Sequence, residues 1–432
     1  MRDGGTMAAG GHGRRLRNII GGSAGNLVEW YDWYAYTSLS LYFAASFFPK
    51  GDPTAQLLST AAIFAVGFLM RPIGAWWMGV YGDRHGRKAG LALSVGLMAG
   101  GSLLIAIAPT FAQAGVAAPI ILLIARMMQG LSVGGEYGTS ATYLSEVASR
   151  KGRGFWSSFQ YVTLIGGQLL SLAVLLILQA WLPEEDLNAW GWRIPFVIGS
   201  VLAVVVFLLR RRIDESASFA AMPADRPVSA VSHLWRGHKR EFILVAIISA
   251  GGSLAFYSYT TYLQKFLVNT SGFSKQNATQ VMTLALIVFM ALQPAWGWIS
   301  DRVGRKPLLL LFSAGGTLAS VPIFSALATV ESAESAFLII LIPLALLAAY
   351  TSIGAVIKAE LFPAHIRTLG VAFPYAIGNA LFGGSAEAVA LWFKARGHES
   401  GFYWYVTAVL AVATVAFAML PETKVTSLIE ED

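Results

Sequence analysis

The chain has 432 residues, 56% of them apolar and only 13% charged, where an average soluble domain carries about 25% charged residues. So little ionic surface requires lipid as the main solvent. The absence of cysteine excludes disulfides, thiolate nucleophiles, cysteine-ligated zinc and iron–sulfur clusters, and the net charge of +7 lies in short loops, not in a patch that would bind nucleic acid.

In chain order, twelve apolar stretches are long enough to cross about 30 Å of hydrocarbon at a rise of about 1.5 Å per residue. Their cores are 18–46, 56–81, 89–109, 118–146, 155–181, 192–209, 241–269, 276–299, 307–327, 336–360, 368–394 and 401–420. The expected fold is an all-α membrane protein with twelve transmembrane helices in two pseudo-symmetric six-helix bundles. Residues 1–17 imitate a signal peptide, but the first span is too long for its apolar region and contains Glu29 and Asp32, so it reads as a retained helix. Segments 1–17 and 421–432 are expected as cytoplasmic tails, 18–209 and 241–420 as the bundles, and the charged, proline-bearing 210–240 as their linker. With the N-terminus inside, 22 of the 31 Lys and Arg fall in segments on the cytoplasmic side and five on the other, which places both termini in the cytoplasm.

Two landmarks repeat at about half the chain length. GVYGDRHGRK at 79–88 recurs as GWISDRVGRK at 297–306, and Glu146 with Arg153 recurs as Glu360 with Arg367, as two homologous halves require. His85 in the first copy is Val303 in the second, which argues against a role for its imidazole. The double G-x-x-x-D-R-x-G-R-K resembles the loop motif of the major facilitator superfamily. That resemblance implies that Asp83 and Asp301 sit near helix N-termini of the opposite half, around Thr368 and Gly154. It also implies that Arg84, Arg87, Glu146, Arg153, Arg302, Arg305, Glu360 and Arg367 form cytoplasmic networks that hold the halves together until the site opens inward. Topogenic charge alone would explain these arginines but not the aspartates or glycines.

Ionisable residues inside spans cost at least about 2.5 kcal/mol each unless paired or hydrated. Glu29, Asp32, Trp33, Tyr36 and Ser40 share one face of the first span about 100° wide. Arg71 precedes Pro72 in the second span, and Arg126, Gln129, Glu136 and Ser140 share a face of the fourth beside Gly130, Gly134 and Gly138. Arg71 and Arg126 are candidates to bind substrate carboxylates by forked hydrogen bonds, with Asp32 or Glu136 exchanging a proton. A fixed ion pair between Asp32 and one of these arginines is the alternative. Tyr36, Gln168, Tyr257, Lys265, Tyr375 and Asn379 complete the candidate substrate site. Lys265 reads equally as a residue snorkelling to the interface, and Lys358 as an interface residue, whereas Glu387 lies well inside the eleventh span.

Longer segments, among them FAVGFLMRPIGAWWMGVYGDRHGRK (64–88), ARMMQGLSVGGEYGTSATYLSEV (125–147), IKAELFPAHIRTLGV (357–371) and FGGSAEAVAL (382–391), resemble the metabolite:proton symporter family, and within it the bacterial 2-oxoglutarate permeases. The osmosensing proline and betaine permeases of that family carry a C-terminal heptad segment after the twelfth span, and this chain is not expected to be one of them. The resemblance implies uptake of 2-oxoglutarate or a similar dicarboxylate with a proton as coupling ion, across a bacterial inner membrane; shikimate and citrate are the alternative substrates. A monomer is expected, with no cofactor, no metal and no nucleic-acid partner. A membrane enzyme or a non-transporting receptor is the lesser reading, since no nucleophile with its base, metal cluster or phosphate loop is visible.

Overall fold

The computed structural model describes residues 6–85, 87–134, 141–142, 145, 150–210, 231–363 and 366–429, with side chains from residue 26 onward except at 79–80, 82–92, 209–210 and 231–233. Among these residues it is all-helical. The long helices are α1 (Thr6–Phe47), α2 (Pro53–His85), α3 (Arg87–Ile107), α4 (Ala117–Val133), α5 (Phe159–Trp181) and α6 (Ile194–Arg210) in one half. The other half has α7 (Lys239–Asn269), α8 (Lys275–Val303), α9 (Lys306–Ala328), α10 (Ala333–Glu360), α11 and α12 (Ser400–Met419). Helix α11 comprises Arg367–Gly378, a π-helical turn at Asn379–Gly383 and Ala386–Ala395. Among the described residues, eight segments are long and apolar enough to span a bilayer, and Leu93–Ile107 and Ala117–Val133 are shorter apolar helices. The helical backbone of α1 extends twelve residues before the apolar stretch that begins at 18.

These stretches become helices because lipid leaves backbone polar groups no partner but each other. Prolines at 72, 294, 322, 343 and 374 lie inside α2, α8, α9, α10 and α11, where neighbouring helices make the missing hydrogen bonds tolerable. In the first half α1 packs on α5 and α6, α2 on α4, and α3 on α4 and α6; in the second, α7 packs on α11 and α12, α8 on α10, and α9 on α10 and α12. The halves meet where α5 lies on α8 and α2 on α11. Large apolar side chains such as Trp181, Leu318 and Trp404 stand exposed on the outside, as a lipid-facing surface requires.

Candidate functional site

Glycines set the distance between α2 and α4. A Cβ at Gly130 would collide with the Gly67 carbonyl, and one at Gly134 with the Arg71 carbonyl. The two backbones therefore touch, and Arg71 and Arg126 arrive at the same indole. The Arg71 guanidinium lies 4.0 Å from the Trp33 ring centroid and that of Arg126 4.1 Å, which bounds their separation at about 8 Å. Phe68 also flanks Arg71, and Tyr36 and Phe64 flank Arg126. Both arginines are buried, and in each Nε and Nη2 have no hydrogen-bond partner.

Asp32 lies behind this pair, inside the first bundle. Its carboxylate accepts from the Ser102 hydroxyl on α3 and from the Gln129 amide on α4 at 2.7 Å. The Gln129 carbonyl oxygen in turn accepts from Arg126 Nη1 at 2.6 Å. The direct Asp32–arginine pair considered from sequence is replaced by an Arg126–Gln129–Asp32 chain, because Gln129, one helical turn from Arg126, is interposed. Asp32 Oδ1 has no partner. Glu29, one turn nearer the N-terminus, accepts from Ser132.

Across the interface, the Tyr257 ring meets Phe68 edge-on at 5.0 Å; within the first half, Tyr36 donates its hydroxyl to the Thr60 carbonyl. Gln168 on α5 donates to the Thr260 carbonyl on α7 at 2.7 Å, so it bridges the halves. Asn379 is buried with both amide atoms unpartnered. A narrow cleft lined by Glu29, Trp30, Arg71, Tyr375 and Asn379 among others lies between the halves. Lys265 and Lys358 are both fully buried, not interfacial. Lys265 donates to Glu387 at 2.6 Å, and Lys358 lies 4.2 Å from the Tyr375 ring centroid; a carboxylate and an aromatic face remove the need to snorkel.

At the end carrying the loop motifs, Asp301 accepts from the backbone N–H groups of Gly154 and Phe155 at 2.8 and 2.9 Å and pairs with Arg305. Glu360 lies 3.8 Å from Arg153 and 3.7 Å from Arg305, linking the halves. Arg367 donates to the carbonyls of Ala359, Phe362 and Leu428. Arg302 departs from the expected network: it is exposed, 3.2 Å from the Trp298 ring centroid, because one residue of helix turns it about 100° away from Asp301. Glu136 and Glu146 lie outside the described residues, as do the side chains of Asp83, Arg84 and Arg87.

The residues after α12 form a strap over this junction that sequence reasoning missed. Glu422 accepts from the backbone N–H groups of Arg305 and Lys306, Thr423 donates to Glu360, and Ser427 accepts from Arg153. Ile429 packs with Ala141 of the first half and Ala355 and Ala359 of the second. At the opposite end Gln179 donates to Thr279, and Lys275 pairs with Glu184 at 2.9 Å. That ammonium holds the Glu184 carboxyl below its usual range. The halves are thus bridged at both ends around buried cations. Ser102 and Glu387 are further buried residues, bonded to the candidate site residues Asp32 and Lys265; Glu387 was visible as an intramembrane acid, whereas nothing distinguishes Ser102 from other span serines.

Helical bundles that span a bilayer and bury ionisable groups where they meet define a class, the membrane transporters. The chain belongs to the Major Facilitator Superfamily, whose model matches residues 24–386. It is 52% identical over 407 residues to the alpha-ketoglutarate permease of Escherichia coli (strain K12), covering 94% of each chain. It is 30% identical to the citrate-proton symporter of Salmonella typhi, over 96% of this chain and 95% of that one. A D-xylose-proton symporter crystal structure superposes with a TM-score of 0.77 at 20% identity, covering 94% of this chain and 98% of the other. That likeness shows the fold. The chain is a transporter of a small molecule and not an enzyme.

Proposed function

We propose that this protein is a proton-coupled symporter that imports 2-oxoglutarate, or a dicarboxylate like it, across a bacterial inner membrane by alternating access, as a monomer with both termini in the cytoplasm. The observation that carries this reading is the pair of buried arginines on Trp33, each with Nε and Nη2 unpartnered. Leaving a buried charged donor unmade costs about 1 to 3 kcal/mol or more. Nε and one Nη together form the fork that fits a carboxylate, so two such forks less than about 8 Å apart suit a short molecule with a carboxylate at each end. Tyr257, Tyr375, Asn379 and Gln168 supply hydroxyls and amides for the remaining oxygens, and Tyr36, whose hydroxyl goes to the Thr60 carbonyl, lines the site with its ring. The 52% identity to a permease named for alpha-ketoglutarate, against 30% to one named for citrate, favours the five-carbon dianion.

Proton coupling follows from the chain of hydrogen bonds. When a carboxylate occupies the free side of Arg126, the guanidinium turns toward it and draws on Gln129, and Asp32 loses part of the positive field that favours its ionised form. Protonation of Asp32 then accompanies anion binding, and the two are reciprocally linked. Asp301, Arg153, Arg305, Glu360 and Arg367 hold the motif end shut in this scheme, and their separation opens it. Uptake of labelled 2-oxoglutarate into proteoliposomes, with and without an imposed proton gradient and with excess citrate, shikimate or betaine, tests the proposal. Uphill accumulation that collapses with the gradient and is blocked by unlabelled 2-oxoglutarate is expected. Accumulation indifferent to the gradient would refute the coupling, and preference for a competitor would refute the substrate.

A further inference from the structure

The buried Lys265–Glu387 pair has no part in that scheme. It joins α7 to α11 at 2.6 Å with both side chains withdrawn from solvent. An isolated buried ion pair is often no better for stability than two packed apolar residues, so its presence calls for another reason. Two observations locate it beside the substrate. Gly384, three residues before Glu387, lies so close to Phe68 that an added Cβ would collide with that side chain, and Phe68 flanks the Arg71 guanidinium at 4.0 Å. Each partner also follows a π-helical turn, Ser258–Tyr262 before Lys265 and Asn379–Gly383 before Glu387; these are the π turns among the described residues, and such turns recur at functional sites.

We propose that the Lys265–Glu387 pair is the charge filter of the substrate chamber: Glu387 cancels the Lys265 ammonium, so that the chamber accepts a dianion and rejects a trianion. The proposal rests on the carboxylate-transport reading above and specifies its charge selectivity. Its logic is differential. Whatever other charges line the chamber, removing the Glu387 charge adds one positive unit while Lys265 keeps its proton, and removing the Lys265 charge subtracts one while Glu387 stays ionised. In a poorly solvated cavity a unit charge changes the relative binding of ions that differ by one charge by about tenfold or more.

The test is counterflow of labelled 2-oxoglutarate in proteoliposomes holding the full chain, with glutarate as dianionic and fully ionised citrate as trianionic competitor. Glu387→Gln is expected to improve citrate inhibition relative to glutarate by about tenfold. Lys265→Met is expected to shift the ratio the other way. The double variant, which buries no lone charge, is expected to return to the wild-type ratio. Should Glu387→Gln fail to reach the membrane, the other two variants still decide the matter. Exchange of 2-oxoglutarate with an unmoved ratio in the variants overturns the filter alone. Wild-type protein that exchanges no 2-oxoglutarate overturns the function proposed above, and the filter with it.

Discussion

Replacing Gly297 by alanine is expected to open the motif end of the transporter. Gly297 on α8 faces the turn at Gly154, and an added Cβ would lie 2.6 Å from the Gly154 carbonyl oxygen, 3.0 Å from its carbon and 3.1 Å from Phe155 Cα. All three are backbone atoms, so no rotamer change relieves the clash. Reaching an ordinary separation of 3.4 Å from the oxygen requires the segments to part by about 0.8 Å. Asp301, one turn further along α8, holds the N–H groups of Gly154 and Phe155 at 2.8 and 2.9 Å, and the same displacement stretches both beyond hydrogen-bonding range. Each such charge-assisted bond is worth about 1.5 to 3 kcal/mol, and overpacking alone costs about 1 to 3 kcal/mol. A partial loss of roughly 2 to 4 kcal/mol shifts the closed population by about 30- to 1000-fold. The cysteine-free chain makes the assay direct: Ala359→Cys, buried between the halves, is labelled from the motif side with an impermeant maleimide. Labelling at least about tenfold faster in the Gly297→Ala background is expected, together with reduced uptake. Gly96→Ala, where a Cβ meets nothing within 4 Å, serves as the control. Unchanged labelling and uptake in Gly297→Ala would refute the reasoning.

Other substitutions probe the site itself. Arg126→Lys and Arg71→Lys keep the charge but lose the fork, and each is expected to weaken apparent affinity for 2-oxoglutarate by about 10- to 100-fold; unaltered competition curves would remove that arginine from the site. Asp32→Asn is expected to abolish gradient-driven accumulation while retaining counterflow, and continued uphill uptake would exclude Asp32 as the coupling residue. Gln129→Leu breaks the link between Arg126 and Asp32, so it should reproduce the Asp32→Asn phenotype; full coupling in Gln129→Leu would show that the chain carries no signal. Deleting residues 421–432 removes the contacts of Glu422, Thr423 and Ser427 with the junction, and faster labelling of Ala359→Cys is the expected result, with equal rates counting against a restraining strap.

Partition into lipid depends on local composition alone. The apolar stretches, the loop glycines and the intramembrane acids and arginines were therefore legible one segment at a time, as was the division into two related halves. Asp301 sits at the helix start near Gly154, as the resemblance to the superfamily's loop motif implied; the motif's own residues do not carry that contact, which spans 147 residues. Which buried charge meets which was not legible. Asp32 meets Gln129 across 97 residues, Lys265 meets Glu387 across 122 and Arg153 meets Ser427 across 274. Sequence periodicity places a side chain on a face of its own helix, but says nothing of the rotation and depth at which that helix packs on another. Close approach at Gly130 and Gly134 brings the two arginines to one indole, and burial obliges Lys265 and Lys358 to find partners inside the protein. Arg302 and Arg305 occupy the same motif, yet only Arg305 faces the junction, since α8 ends at Val303 and the positive φ of Gly304 redirects the chain before Arg305.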